Sequence, residues 1–65
     1  MNVNKLRGII TEQGLTQERV AIAIGITPKT FYTKMKKGVF GTDEVMRMIE
    51  LLNIENPASI FLTDG

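Results

Sequence analysis

The chain has no cysteine, no histidine and no tryptophan, and only 2 prolines in 65 residues. Without cysteine there is no disulfide framework and no thiolate metal site. Without histidine the commonest general base and metal ligand is missing. No pair of acids is spaced to share a cleft, and no glycine-rich phosphate loop leads into a lysine. An enzyme is therefore not expected, and neither is a metal or a cofactor. The longest unbroken apolar run, Val20 to Ile24, is too short to span a bilayer. The opening MNVNKLRG carries two charges with no apolar stretch behind them, so a signal peptide is not expected. These absences fit a cytoplasmic protein with no membrane partner.

What is present is one small domain, residues 1–65. A chain of this size buries only about 60% of its unfolded surface, so its core must be thin. The net charge of +1 conceals a strong asymmetry. Residues 27–41 hold Lys29, Lys34, Lys36 and Lys37 and no acid. Residues 42–65 hold Arg47 against Asp43, Glu44, Glu50, Glu55 and Asp64. A local basic patch is the electrostatic footprint of a polyanion binder, with the acidic part expected to face away.

The stretch Leu15 to Lys37 reads as two short helices joined by a tight turn. Thr16 is a good N-cap for a helix over Gln17–Ile24, with Val20, Ala21 and Ile24 on one face. Gly25 stops it, since glycine enters the left-handed region without a Cβ clash. Thr27 then caps a second helix, Pro28–Lys37, whose first position suits proline. Two helices so closely linked meet at a steep angle, and small Ala21 and Gly25 should allow close approach. Phe31 and Met35, four apart, make the inward stripe of the second helix, with Ile26 just before it. Lys29, Tyr32, Thr33, Lys36 and Lys37 take the remaining arc. Lys34 is borderline, with its stem placed for burial and its ammonium for water.

The flanking segments are helical as well. Val3–Gln13 carries Val3, Leu6, Ile9 and Ile10 at helical spacing, with Asn2 as cap and Gly14 as terminator. Gly8 inside it weakens it by roughly 1 kcal/mol relative to alanine. Leu15 plugs the corner, and Phe40, in the loop Gly38–Gly41, is expected to tuck under the helices. A fourth helix starts with Thr42 as N-cap, has Asp43 and Glu44 in its first turn, and faces Val45, Met48, Ile49 and Leu52 to the core. Asn53 suits the position just past its end. Asn56-Pro57 restarts a short last helix that brings Ile60 and Phe61 to the core, and Thr63 to Gly65 should fray. Ile22 and Met46 lie off the apolar stripes. For Ile22, an isolated exposed side chain and the edge of a partner surface are both open. The expected fold class is all-α, with five short helices.

The ordered set Leu15-Thr16-Gln17-Glu18, Ala21, Gly25-Ile26-Thr27, Thr30-Phe31, Gly38, Leu52-Asn53-Ile54 and Ile60-Phe61 resembles the λ-repressor-like (XRE, Cro/CI) helix-turn-helix family. The resemblance runs from about residue 4 to residue 62. The TFYTKMKKGVF segment, followed by an acidic helix and NPASIF, is similar to small phage and prophage regulators. The length suits a whole protein of Cro size. The resemblance implies a compact five-helix fold with the helix-turn-helix at helices 2 and 3. It further implies a homodimer on a double-stranded DNA operator and a repressor-type role in transcription. Two departures stand out. Pro28 occupies a place where many relatives carry an amide or other polar side chain, so one usual base contact is missing. Ile10 and Met35 stand where many relatives have an Arg–Glu pair.

On that likeness, helix 3 would read the major groove, whose base edges are distinguishable by their hydrogen-bonding groups and methyls. Lys29 is the candidate for a guanine contact, Thr33 for a hydroxyl or methyl contact, and Tyr32 for packing on a base or sugar. Gln17, at the start of helix 2, corresponds to the family's phosphate clamp. Thr27, Thr30, Lys34, Lys36 and Lys37 are further candidates for phosphate, which positions a domain without reading sequence. Met46, Leu62 and Phe40 are spare apolar groups for a contact between copies. A single copy should bind weakly and with strong salt sensitivity. The alternative is a protein-binding, antirepressor-type module that docks on another phage regulator, using Ile22, Met46 and the acidic last third.

Overall fold

The computed structural model describes residues 1–63. Its elements are α1 (Val3–Glu12), α2 (Gln17–Ala23), α3 (Pro28–Lys37), α4 (Thr42–Leu51) and α5 (Ala58–Phe61). No strand occurs among the described residues, so the fold is all-α. The radius of gyration is 10.4 Å, matching the roughly 11 Å of a packed body of this length. The fraying expected at Asp64 and Gly65 lies outside the described residues.

Local capping chemistry sets most helix ends. The side chains of Asn2, Thr16 and Thr27 accept the N–H groups of Lys5, Arg19 and Thr30, giving α1, α2 and α3 their first turns. Gly14, Gly25 and Gly38 follow α1, α2 and α3 with positive φ. At Gly38, φ is +70°, and the N–H groups of Gly38 and Val39 close back on the Met35 and Lys34 carbonyls. Asn53, at φ 52°, does the same for α4, with the Ile54 N–H on the Ile49 carbonyl.

Four boundaries differ from expectation. Gln13 and Ile24 are caps rather than helical residues. The N-cap of α4 is Gly41, and Thr42 is the first helical residue. Glu44 decides this, because its Oε1 reaches back to accept the Gly41 N–H at 2.7 Å. A capping carboxylate from three residues ahead replaces the hydroxyl cap expected of Thr42. The last helix begins at Ala58, and Asn56 contributes its backbone carbonyl, bonded to Ser59, in place of a side-chain cap.

The core is one cluster fed by every helix. Leu6 and Ile10 come from α1, Val20 and Ala21 from α2, Phe31 and Met35 from α3, Met48 from α4 and Ile60 from α5. Ile24, Leu52 and Ile54 complete it from the segments between helices. Val45 and Ile49 lie half-buried at the edge of the α4 stripe. Phe40 packs on Phe31 in a tilted pair, with ring centroids 5.2 Å apart and planes at 54°, as a tucked loop phenylalanine should. The chain's start is tied to α5 by the Asn2 N–H on the Ile60 carbonyl at 2.6 Å and by Lys5 Nζ on Ser59 Oγ at 2.9 Å. A domain of this length has roughly 3–10 kcal/mol of stability, so truncating Phe31 to alanine, at about 3–5 kcal/mol, approaches the whole of it.

Gly25 ends α2 in the left-handed region as expected, but it does not serve close approach to α3. Its φ of +87° requires glycine, yet a Cβ at this position would lie nearest Arg47 Nη1, not α3. That guanidinium donates to the Ile24 carbonyl at 3.0 Å and so finishes the carbonyl end of α2.

Candidate functional site

Helix α3 is amphipathic in a simple way. Phe31 and Met35 sink to 0% and 2% exposure, and the opposite arc stands in solvent. Lys29, Tyr32, Thr33, Lys36 and Lys37 are all exposed on it, Tyr32 at 47%. Lys29, Lys36 and Lys37 have no acidic partner among the described residues. The arc is therefore a ridge of free ammonium groups with a phenol and a hydroxyl among them. Ile10 and Met35 are both buried at 2% in the core cluster.

The threonines differ in what they can offer. The Thr27 hydroxyl donates to Thr30 Oγ1 at 2.9 Å and accepts the Thr30 N–H at 3.2 Å. Thr27 thus caps the start of α3 and shares a hydroxyl–hydroxyl contact with Thr30. One of the two hydroxyl protons spans the pair, and the other stays available at the exposed start of α3. The Thr33 hydroxyl donates to the Lys29 carbonyl at 3.1 Å, a bond to the preceding turn. Thr33 thus presents oxygen lone pairs and a methyl group. Gln17 is half-exposed at the start of α2, where Thr16 holds only the Arg19 N–H. Glu18 shares that first turn, so an anion there depends on the Gln17 side chain.

Lys34 departs from the expected pattern. Its ammonium lies 2.6 Å and 2.8 Å from the two Glu44 oxygens, with both side chains partly buried. The acidic segment does not face wholly away; one of its carboxylates reaches back to α3. The Glu44 carboxyl is held below its ordinary pKa, first by the Lys34 hydrogen bond and then by the Gly41 N–H, against a smaller opposing effect of burial. Lys34 is therefore a neutralised brace more than a free cation.

A shallow notch runs beside the ridge, lined by Lys29, Thr30, Thr33, Lys34, Lys37 and Val39. Val39 is 65% exposed. Sequence reasoning missed it, although the left-handed glycine before it places it against Lys34. It also missed the contacts of Glu44 and Arg47. Among the spare apolar groups, Met46 and Leu62 are exposed at 62% and 83%, whereas Phe40 is occupied by Phe31. Ile22 is exposed next to exposed Ala23.

No three histidine, cysteine, aspartate or glutamate side chains gather into a metal site among the described residues. No helix among them is long and apolar enough to cross a membrane. Compared with protein-family models, curated proteins and solved structures, the chain matches none.

Proposed function

We propose that the protein is a double-stranded DNA-binding transcriptional regulator of the λ-repressor-like kind, with α2 and α3 as its helix-turn-helix. One observation carries this reading: α3 buries Phe31 and Met35 and leaves an exposed arc of lysines, with no acid on the helix and no acidic partner among the described residues. A helix of this width fits the major groove, and free ammoniums there displace counterions from phosphate. Lys29, near the start of α3, takes a guanine O6/N7 edge. Thr33 accepts from a base amino group or packs its methyl, and Tyr32 packs on a base or sugar. Thr30, Gln17, Lys36 and Lys37 hold phosphates, and Thr27 shapes the helix start.

A few cations per copy favour two copies on one operator, spaced by a helical turn of DNA. Exposed Met46 and Leu62 are available for that pairing. A phage or prophage repressor in the bacterial cytoplasm is the role that fits the sequence resemblance.

Selection of bound sequences from random duplex DNA tests the reading. The expected result is a two-fold symmetric motif, lost in the Lys29→Ala/Thr33→Ala protein while its thermal midpoint barely moves. The second reading, docking on another regulator, draws on exposed Ile22 and Met46. It gains if no sequence is enriched and a repressor protein is bound instead.

A further inference from the structure

The notch beside α3 has a composition that free ammonium groups do not explain. In the helix ending built on Gly38, the residue after the left-handed glycine usually packs on the side chain five positions earlier. Here that side chain is Lys34, and Glu44 draws its ammonium away. Only the Lys34 stem remains beside Val39, which stays 65% exposed. Val39 is nonetheless fixed in place, because its N–H closes on the Lys34 carbonyl at 3.1 Å. Thr33 adds a methyl, since its hydroxyl is turned to the Lys29 carbonyl. The result is a shallow, largely apolar hollow with Lys29 and Lys37 in its lining.

Such a hollow suits a small apolar group carried on a polyanion. On the major-groove edge of DNA, only the thymine C5-methyl answers that description. We propose that Val39, with the Thr33 methyl, seats a thymine methyl and so specifies thymine at one position in each bound site. The inference rests on the duplex-binding reading. It adds a specificity-determining residue just outside the helix, in the turn that closes it.

The test uses a duplex that the protein binds, with each thymine replaced in turn by deoxyuridine, which keeps the pairing and removes only the methyl. One position per site should weaken binding about fourfold, the worth of one buried methyl group. Val39→Ala should show a similar loss on the thymine duplex and no further loss with deoxyuridine at that position. Its thermal midpoint should match the wild type, because the side chain is exposed. Two results overturn the inference: no thymine is methyl-sensitive, or Val39→Ala keeps the wild-type thymine/uracil ratio. A methyl effect that survives Val39→Ala and disappears in Thr33→Ser overturns it as well, by assigning the methyl to the helix alone. In each case duplex binding itself stands. Absence of binding to any duplex removes the functional reading on which the inference depends.

Discussion

The Lys34 ammonium and the Glu44 carboxylate meet at 2.6 Å and tie the last turn of α3 to the first turn of α4. Glu44 also accepts the Gly41 N–H, so one side chain caps α4 and braces α3 together. Both contacts favour the charged carboxylate and hold its pKa below the usual value. A group depressed in this way adds stability above its unfolded pKa and loses it as the pH falls through its folded pKa. Glu44→Gln should therefore cost about 1–2 kcal/mol near neutral pH, the range of a partly buried charge-assisted bond. The gap between wild type and variant should narrow as the pH drops below the carboxylate range. Thermal unfolding of both proteins at about pH 7 and about pH 3 checks this. An unchanged gap would mean that the charge of Glu44 is irrelevant.

The same substitution should act in the opposite direction on binding. Removing the Glu44 charge frees Lys34 beside the α3 ridge. Glu44→Gln should bind duplex DNA several-fold more tightly at low salt, with a steeper salt dependence by up to about one counterion. Parallel titrations of the two proteins measure it. Loss of affinity would show that the brace matters more than the charge.

Arg47 holds the far side of the same unit. Its guanidinium reaches the Ile24 carbonyl, 23 positions away, at the end of α2. Arg47→Met keeps the stem and removes the donor, at a cost of about 1–2 kcal/mol. Hydrogen exchange gives the local readout. The Ile26 N–H, bonded to the Ala21 carbonyl across the turn, should lose protection before the core amides do.

Gly8 offers a gain. It lies within α1, and a Cβ there meets nothing within 4 Å. Gly8→Ala should add roughly 0.5–1 kcal/mol by limiting the unfolded chain and favouring helix. For a domain of this size that raises the midpoint by roughly 2–8 °C. A fall in the midpoint would place a hidden contact at this position.

Much of this architecture is legible in the sequence because its determinants are local. Thr16, Thr27, Pro28, Gly25 and Gly38 mark helix ends through bonds that span only a few residues. Once Phe31 and Met35 turn inward, the helical period alone puts Lys29, Tyr32 and Thr33 outside. The start of α4 falls one residue from its expected place because two local caps compete. The Glu44 carboxylate prevails over the Thr42 hydroxyl by also meeting Lys34. That pairing joins positions ten apart and exists only once the 38–41 loop folds back. The roles of Lys34, Arg47 and Val39 depend on tertiary contacts of this kind, which sequence periodicity does not encode.

The most direct measurement is duplex affinity as a function of salt for the wild type and for a Lys29→Ala/Lys36→Ala/Lys37→Ala protein. Lys36 and Lys37 on phosphate predict a slope of log affinity against log salt of about −2 per copy, since each neutralised phosphate contributes about −0.9, and Lys29 in the groove adds at most about one more. The triple variant should lose nearly all of that slope while unfolding at the wild-type midpoint. A wild-type slope near zero, or a slope that the variant retains in full, would contradict the claim that α3 presents its lysines to DNA.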